Sequence, residues 1–546
     1  MSDVNSEAAP PPRARTGGYA MLVAAGIFLT RISGFVREKV FAHFLGNSDA
    51  AGIYRAAIRI PNVLQNLFGE GVLSASFIPV YARLLAENDE KTAGRVAGII
   101  ATLLALSMSV LVLLGVLFTP QLLILIAPGY KGAIRELTVT VVRIMWPGCG
   151  ILVLSAWCLG ILNSHRRFFL SYVAPVFMNI VMIATLVFFG GRTSDRSLVI
   201  LAAWGMVAGA FAQFVIQLPA VFRYARHLRF AVDLTLEPVR TVIRNFGPVV
   251  VGRGVVQVSG YIDNLLATLL GTAAVSALSY AQIVNMLPIS LFGMSVAAAE
   301  LPQMSGMLGT TDEIAAKMRE RLERGLRQIA FFVVPTVVAF IAIGNAIIAM
   351  LYQGGRFRAN DTRLVWYILI GSTLGLLAVT LGRLYSSAFY ALRDTKTPLR
   401  FAMIRVALTA VLGYLFALPL RPLLIRLLEL AHVPLPIVGG NTKALGAIAL
   451  TATAGVAGWL EFLLLRRALG RRIGAIRIPP SYLLRLWAAA IVAGAAAAAC
   501  NFYLMHRLPP IPNGFVICGI FGAIYFGAAT AAGVPEARGV LRRLKR

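Results

Sequence analysis

Five polar side chains follow one another through an apolar stretch of the sequence at helical spacing. Because the intervals are four, three, four and four residues, these side chains would share one face of a helix. An arginine guanidinium binds phosphate through two parallel hydrogen bonds and stays charged under all conditions. The stripe therefore predicts a site for an anionic ligand such as a pyrophosphate, formed by Arg55, Arg59, Asn62, Asn66 and Glu70.

The preceding apolar segment adds the charged residues Arg31, Arg37 and Glu38. A charged side chain at the centre of a bilayer costs about 2.5–3.5 kcal/mol on insertion scales, so it usually marks a pathway or an ion pair. Two interpretations remain open. The arginines could face a polar translocation cavity, or they could pair internally, Arg37 with Glu38 and Arg59 with Glu70, in a static buried network. The excess of cations over anions in these segments favours the cavity.

The elements that carry these charges are predicted to be membrane-spanning helices. Hydrophobic residues make up 58% of the 546 residues, charged residues only 14%, and the mean hydropathy is +0.78. Soluble domains are about a quarter charged, and a helix must be about 20 residues long to cross the hydrocarbon. We predict an all-α polytopic membrane protein with about fourteen helices, at 18–45, 51–83, 92–118, 132–163, 168–190, 197–222, 240–270, 273–305, 322–352, 362–391, 398–420, 441–467, 482–505 and 512–533.

The placement of positive charge predicts the orientation of these helices. The formal net charge of +28 falls in short tracts between hydrophobic segments, which argues against a nucleic-acid partner. Every second join is basic, which predicts a multi-pass bacterial inner-membrane protein with both termini cytoplasmic. A disordered tail is predicted at 1–17, without a cleavable signal peptide, and a basic cytoplasmic tail at 534–546. The sequence shows no ATP-binding loop, metal-ligand spacing or catalytic constellation, so we expect a transporter without a cofactor rather than an enzyme.

A weak internal repeat relates the two halves of the chain. Ser33–Arg37 aligns with Ser259–Asp263, and further matches downstream keep the same order. Because both repeats would start from the cytoplasm, the repeat predicts two six-helix lobes in parallel orientation, at 18–222 and 240–467. Such repeats are a transporter design, with the substrate path between the lobes. Two further helices would follow at 482–533.

Asp263 takes the repeat position of Arg37 in this alignment. A carboxylate there could bind a coupling cation or proton. It could equally pair with a neighbouring arginine, and the sequence alone favours neither interpretation.

Short motifs with a family resemblance are spread over most of the first 400 residues. They are Arg31-Ile-Ser-Gly-Phe-Val-Arg37-Glu38, Arg59-Ile-Pro61-Asn62, Phe68-Gly-Glu70-Gly71, Ala127-Pro128-Gly129-Tyr130, Gly160-Ile-Leu-Asn163, Arg167-Phe168, Ala174-Pro175, Phe389-Tyr390-Ala391 and Asp394-Thr395-Lys396-Thr397-Pro398. Together these motifs resemble the MurJ (MviN) lipid II flippases, which belong to the multidrug/oligosaccharidyl-lipid/polysaccharide exporter superfamily.

The resemblance implies a fourteen-helix, two-lobe flippase of peptidoglycan biosynthesis. Such a protein moves undecaprenyl-pyrophosphate-linked precursor from the cytoplasmic to the periplasmic leaflet by alternating access. Arg31 and Arg37 match arginines of the cationic central cavity in this family, and Glu38 matches an acidic position beside them. Asp263 matches a position that is linked to ion binding in some relatives, and the helices at 482–533 match a groove for the lipid tail. A monomer is expected, because one chain supplies both lobes.

The sequence departs from the family pattern at four positions. Gly52 stands where relatives usually have an acidic residue, and Gln65 and Asn66 stand where they often have two arginines. Ile283 stands where an arginine is common in the eighth helix. These departures remove charges that the family uses in its cavity.

Three functions are consistent with this pattern. The phosphate site could be rebuilt around Arg55 and Arg59 in a lipid II flippase. The cargo could instead be another polyprenyl-linked oligosaccharide, such as an O-antigen or exopolysaccharide unit. A third alternative is a membrane scaffold that no longer transports.

Overall fold

A computed structural model describes residues 16–430, 432, 434–436, 442–504 and 507–544. Over these residues the chain forms helices and turns without a β-strand. Most of the tail predicted at 1–17, and the last two residues of the tail predicted at 534–546, lie outside the described residues. The rest of that second tail contains a short helix, Pro535–Leu544.

In chain order the α-helices are α1 (Thr16–Leu45), α2 (Asp49–Ala57), α3 (Arg59–Phe68), α4 (Glu70–Ser76), α5 (Ile78–Ala86), α6 (Glu90–Ile126), α7 (Gly132–Ser164), α8 (Phe168–Phe189), α9 (Asp195–Val215), α10 (Leu218–Tyr224), α11 (Glu237–Leu270), α12 (Thr272–Pro288), α13 (Ser295–Ser305), α14 (Thr311–Ala342), α15 (Gly344–Tyr352), α16 (Ala359–Ala391), α17 (Lys396–Ala417), α18 (Arg421–Leu430), α19 (Gly446–Ile473), α20 (Pro480–Leu504), α21 (Pro510–Ala531) and α22 (Pro535–Leu544). A π-helical turn, Ile289–Met294, joins α12 to α13, and a 3₁₀ turn, Lys443–Leu445, precedes α19.

Eleven helical elements of the described chain are long and apolar enough to cross a membrane. They are α6, α7, α8, α9 with α10, α12 with α13, α14, α16, α17, α19, α20 and α21. Helices satisfy their own backbone hydrogen bonds, which is the condition for crossing hydrocarbon. The prediction of an all-α polytopic membrane protein is confirmed, and the count of fourteen spans stays a prediction.

The other three predicted spans correspond to α1, to the segments α2–α5, and to α11. The first carries Arg31, Arg37, Glu38 and Lys39 in its second half. The segments α2–α5 are short, and α11 contains the apolar stretch Tyr261–Leu270. These three are the predicted spans that carry the residues proposed from sequence to bind substrate or ions.

The helix predicted at 51–83 is broken into α2, α3, α4 and α5. Pro61 has no N–H to donate to the carbonyl of Ala57, and α2 ends at Ala57 for that reason. Helix α3 then begins at Arg59, which places Pro61 in its first turn, where proline is tolerated. The break therefore comes one turn before the proline, and Gly69 produces a second break between α3 and α4.

The helices pack in two groups. In the first group α1 and α6–α9 pack together, and α2, α3 and α4 contact α7. In the second group α14, α16, α17 and α19 pack together, α11 contacts α17, and α12 contacts α16. The pair α20–α21 packs against α14 and α15 through a separate apolar cluster around Phe331, Leu486 and Phe521. Below, the proximal end of the bundle is where α1 begins, and the distal end is where α1 ends at Leu45.

At the distal end the two groups approach each other backbone to backbone. A Cβ atom on Gly52 would lie 2.3 Å from the carbonyl oxygen of Thr272, and one on Gly129 would lie 1.9 Å from that of Thr268. No side chain fits at either glycine while the groups are this close. The hydroxyl of Thr272 also donates to the carboxylate of Asp49. The absence of an acidic side chain at position 52 is thus a packing requirement of this contact.

Further contacts at the distal end extend this closure. The Tyr280 hydroxyl donates to the carbonyl of Gly46 at 2.9 Å, and the Arg356 N–H donates to the carbonyl of His43 at 2.9 Å. Arg356 also forms a two-pronged ion pair with Asp195. Because each contact joins one helix group to the other, the distal end is closed in this conformation.

Candidate functional site

A cavity of about 630 Å³ lies between α1, the α2–α3 break and α12. It is lined by Thr30, Arg31, Gly34, Phe35, Arg37, Glu38, Arg55, Ile58, Arg59, Asn62, Ser279, Gln282, Ile283, Asn285, Met286 and Leu287. Six of the eight residues predicted from sequence to bind substrate are in this set. Its charged members are four arginines and one glutamate, so the lining carries a net positive charge.

Glu38 and Arg55 form the most buried ion pair of the cavity. Glu38 is 5% exposed and Arg55 is 9% exposed, and both carboxylate oxygens accept hydrogen bonds from the guanidinium. The guanidinium carbon also lies 4.3 Å from the ring centroid of Phe41 and 5.0 Å from that of Tyr280. Two aromatic faces and a carboxylate together compensate its burial. In this conformation the charge of Arg55 is therefore compensated within the protein.

Arg37 is held at the cavity by two different partners. Its Nη2 donates to Glu38 at 2.8 Å, and its Nη1 donates to Oδ1 of Asn179 at 3.0 Å. Asn179, on α8, donates in turn to the Ser33 hydroxyl at 2.9 Å. Because Glu38 also serves Arg55, Arg37 retains more unneutralised charge than an exclusive ion pair would leave. The predicted pairing of Arg37 with Glu38 thus exists, but as part of a cation-rich cluster.

Arg59 connects the two helix groups through neutral partners. Its Nη2 donates to Oε1 of Gln282, on α12, at 3.3 Å, and the Tyr261 hydroxyl donates to the Arg59 carbonyl at 3.0 Å. Its buried Nε has no hydrogen-bond partner among the described residues. Arg59 forms no salt bridge with Glu70 in the described structure, so the alternative pairing weighed from the sequence is absent there. Asp263 is the carboxylate that interacts with it electrostatically.

Arg31 and Asn62 line the cavity with exposed side chains. Neither makes a side-chain hydrogen bond or an ion pair with another residue that the structure describes. They differ in this respect from Arg37 and Arg55. Both side chains are therefore available to a ligand without displacing a protein partner.

Asn66 and Glu70 do not line the cavity, although the sequence predicted them on the same face as Arg59. Both side chains are exposed, and both lie nearer the proximal end. Asn66 shares α3 with Arg59 but lies seven residues further along it, and the interruption at Gly69 ends the helical register before Glu70. A role of these two residues in binding stays a prediction.

Asp263 is close to the cavity without being part of its lining. It interacts electrostatically with Arg405 and Arg59, and its Oδ1 is buried without a hydrogen-bond partner among the described residues. Arg405 forms an ion pair with Glu461 at 3.1 Å. The structure thus places Asp263 in a charged group that reaches from the cavity wall into α17 and α19.

Sequence reasoning missed several neutral residues of the site, chiefly Asn179, Gln282 and Asn285. Asn179 is an amide within the apolar helix α8, and that isolation was the available signal. The two amides of α12 are separated by three positions, as expected for residues on one helical face. An amide in a membrane helix costs less than a charge, which makes its signal weaker in a sequence.

An apolar pocket of about 300 Å³ adjoins the cavity. Phe35 and Leu287 line both spaces, and the rest of the pocket is formed by residues of α12, α14 and α15 and of the π-helical turn. A charged space and an apolar space therefore share a boundary, which is suited to an amphiphilic ligand.

Comparison with known sequences gives consistent similarities along the whole chain. A family model described as lipid II flippase MurJ matches residues 41–429. The chain is 31% identical over 544 residues to a probable lipid II flippase MurJ of Rhizobium tropici, covering 95% of this chain and 94% of the relative. It is 27% identical to the lipid II flippase MurJ of Burkholderia cenocepacia, covering 95% and 98%.

Comparison with solved structures extends the likeness to the fold. A lipid II flippase MurJ in an inward closed conformation superposes with a TM-score of 0.72 at 22% identity, covering 96% of this chain and 100% of that chain. An inward-facing multidrug resistance MATE family transporter of the MOP superfamily gives a TM-score of 0.59 at 18% identity, covering 83% and 99%. The helix arrangement is thus one that several transporters share.

Proposed function

This chain belongs to the lipid II flippase MurJ family, and we propose that it moves undecaprenyl-pyrophosphate-linked peptidoglycan precursor across the bacterial inner membrane. Membership confirms the expectation of a multi-pass membrane transporter rather than an enzyme. The transported molecule is a lipid-linked saccharide, and the surrounding membrane lipids are its other partners.

The single observation that carries this proposal is the cationic cavity between the two helix groups. Its one glutamate is shared by Arg55 and Arg37, so the four arginines of the lining keep an excess of positive charge for an anionic ligand. A pyrophosphate can accept charge-assisted hydrogen bonds from several guanidinium groups at once. The cost of keeping these cations among membrane helices is then offset by the bound anion, as expected for a substrate pathway.

The adjoining apolar pocket supports a lipid substrate in particular. An amphiphile with its pyrophosphate in the cavity could place the first part of its chain beyond Phe35 and Leu287. The predicted tail groove at 482–533 belongs to the same proposal. Its helices α20 and α21 present exposed apolar side chains, including Leu484, Ile491 and Phe515.

We propose that transport proceeds by alternating access between two lobes at 18–222 and 240–467. The closed distal end would be periplasmic, and both termini would be cytoplasmic. Opening would require separation of the backbone contacts at Gly52 and of the Arg356–Asp195 ion pair. A single chain would act as a monomer, because the cavity draws on both lobes.

The orientation can be tested by labelling single cysteines in intact cells. The native thiols are favourable for this experiment, because Cys149 and Cys158 are buried and the other two are partly buried. A cysteine at Arg192, in a distal turn, should react with a membrane-impermeant maleimide from outside. A cysteine at Glu87, in a proximal turn, should react only after the membrane is permeabilised, and the reverse pattern would invert the proposed topology.

Coupling to an ion at Asp263 is a further part of this proposal. The unpartnered carboxylate oxygen supports a cation or proton there, whereas the nearby Arg405 supports an internal ion pair. Transport into vesicles should be measured with imposed sodium and proton gradients, for the wild type and for Asp263→Asn. Gradient-driven transport that is lost in the variant would support coupling, and transport indifferent to both gradients would contradict it.

The substrate can be tested by depleting the native flippase of a host and supplying this gene. Restored growth, together with restored exposure of lipid II on the outer leaflet, is the expected result. Failure despite good membrane expression would count against lipid II. Restoration of an O-antigen or exopolysaccharide flippase mutant instead would support the other saccharide carriers, and restoration of neither would favour the scaffold.

A further inference from the structure

The cavity wall formed by α12 is polar but carries no charge. Ser279, Gln282 and Asn285 all line the cavity, and successive members are three residues apart. Side chains at that spacing lie on neighbouring positions of one helical face. Ile283, Met286 and Leu287 complete this wall as apolar members. All the arginines of the cavity lie on the other wall, formed by α1–α3, so the charged side chains are confined to that wall.

These three side chains retain unused hydrogen-bonding capacity. Oδ1 of Asn285 is buried and has no partner among the described residues. The side-chain oxygen Oε1 of Gln282 accepts a hydrogen bond from Arg59, while the side-chain NH₂ group of Gln282 donates to no residue that the structure describes. The Ser279 hydroxyl donates to the Val275 carbonyl at 2.7 Å, which leaves its oxygen free to accept. A buried unpaired polar atom such as Asn285 Oδ1 is costly unless a ligand or solvent pairs with it.

The chemistry of this wall matches a neutral, hydroxyl-rich group. Amides and hydroxyls both donate and accept, as do the hydroxyl and acetamido groups of an N-acetylated sugar. A site whose buried polar groups remain unpaired with the wrong ligand discriminates strongly against that ligand. An anionic group, by contrast, would gain more from the arginine wall opposite.

The position of the wall also fits a sugar that follows a pyrophosphate. Gln282 contacts Arg59 directly, so the neutral wall begins where the charged wall ends. In an undecaprenyl-pyrophosphate saccharide the first sugar is bonded to the pyrophosphate. A ligand with its phosphates against Arg59 would therefore bring its first sugar to Gln282 and Asn285.

We propose that Ser279, Gln282 and Asn285 form the subsite for the hydroxyl and acetamido groups of the saccharide headgroup. This inference rests on the proposed function, because it takes a pyrophosphate-linked sugar as the ligand. It assigns recognition of the sugar to α12, apart from recognition of the phosphate by α1 and α3.

The test compares the binding of three lipids to the purified full-length protein in detergent, for example by native mass spectrometry. The lipids are undecaprenyl pyrophosphate, the same lipid carrying one N-acetylated amino sugar without a peptide, and lipid II. The wild type should bind both sugar-bearing lipids at least about tenfold more tightly than the bare pyrophosphate. Asn285→Leu should abolish that preference while leaving affinity for undecaprenyl pyrophosphate unchanged.

Two comparison variants isolate the role of the amide. Asn360→Leu makes the same chemical change at an exposed position at the start of α16, outside the cavity, and should keep the preference. Arg37→Ala should weaken the binding of all three lipids to a similar extent, because Arg37 is proposed to bind the pyrophosphate that they share. Equal folding of the variants is checked by their thermal unfolding.

The outcomes separate this inference from the proposed function. If the wild type prefers sugar-bearing lipids and Asn285→Leu keeps the preference, the subsite is wrong while the flippase proposal stands. A preference for lipid II alone would place recognition on the peptide or on the second sugar, and the assignment of Gln282 and Asn285 to the first sugar would be wrong. If the wild type binds none of the three lipids, the proposed function fails and this inference fails with it.

Discussion

The two walls of the cavity differ in how far other protein groups already pair with their polar side chains. On α1–α3, Arg37 and Arg55 are held by Glu38, by the amide of Asn179 or by aromatic rings. On α12, by contrast, Asn285 leaves a buried oxygen unpaired. Arg37 and Arg55 are thus preorganised before a ligand arrives, whereas Arg59, with its unpaired buried Nε, and the neutral wall still have polar atoms to satisfy.

This difference reflects the cost of each kind of group in a membrane. An isolated buried charge is far more costly than an isolated buried amide, so the protein must stabilise its arginines even when the cavity is empty. The amides can remain without a hydrogen-bond partner until a ligand binds. We infer that the charged wall determines whether a pyrophosphate lipid binds, and the neutral wall determines which one.

The largest effect is expected from removing a charge of the first wall. Arg37→Ala and Arg59→Ala should each abolish transport while leaving the protein folded, because both side chains line the cavity and neither is fully neutralised. Growth of a flippase-depleted host and lipid II exposure are the measurements. Arg83→Ala, at a largely exposed position paired with Glu87, should remain active. Activity in both cavity variants would disprove the assignment of this wall.

A large effect on stability is expected from breaking the buried pair. Glu38→Gln leaves Arg55 buried without its counter-ion, which should destabilise the protein by about 3–5 kcal/mol. The double variant Glu38→Gln with Arg55→Met should recover most of that loss, because methionine packs well against the rings of Phe41 and Tyr280. Chemical unfolding in detergent measures both. A double variant no more stable than the single one would show that the pair is not the cause.

A smaller effect on stability is expected from a change at the distal end, where the two helix groups meet. Gly52→Ala places a methyl group against the Thr272 backbone, so distal closure should be weakened by about 1–3 kcal/mol. Cysteines at Asp49 and Thr272, which are hydrogen-bonded, should cross-link readily in the parent and less in the variant. Gly519→Ala, at a position with open space around it, is the matched control. Unchanged cross-linking in Gly52→Ala would show that closure does not depend on this contact.

The sequence predicts the spans well because long apolar runs have few alternatives in a membrane. A proline in mid-span, Pro61, is itself a signal in the sequence that the second span is disturbed. The division of that span into α2–α5 was not predicted, because the break at Ala57 and the second break at Gly69 depend on backbone geometry. Close packing of the two groups at Gly52 likewise depends on a neighbour more than two hundred residues away in sequence.

The candidate site likewise has one part that the sequence predicts and another that it does not. Arg31, Arg37, Arg55 and Arg59 could be predicted, since charged residues in apolar segments are conspicuous. Their orientation could not, because it depends on neutral residues of distant helices, such as Asn179 and Gln282. Glu70 was placed with Arg59 by assuming an unbroken helix, and the break at Gly69 removes that register, whereas Asn66 shares α3 with Arg59 but lies seven residues further along it.

The smallest effect is expected from an ion pair outside the cavity, and it sharpens the comparison with Glu38. Asp394, in the turn between α16 and α17, accepts two hydrogen bonds from Thr397 and one from Arg472 at 2.6 Å. These contacts, chiefly those from Thr397, lower the pKa of Asp394 from 3.8 to about 2. Because the side chain of Arg472 is 46% exposed, Asp394→Asn should cost no more than about 1 kcal/mol.

The pH dependence of this turn follows from the sign of its pKa shift. A carboxylate with a lowered pKa stabilises the fold fully above its ordinary pKa, and that stabilisation is lost as the pH falls through the native value. The difference in unfolding free energy between the wild type and Asp394→Asn should therefore be constant from about pH 8 to about pH 5 and shrink only below about pH 4. If Asp394→Asn were as destabilising as Glu38→Gln, burial would not explain the importance of the cavity pair. A much smaller loss of stability in Asp394→Asn would indicate that the low-dielectric surroundings of the charged wall make the Glu38–Arg55 pair important.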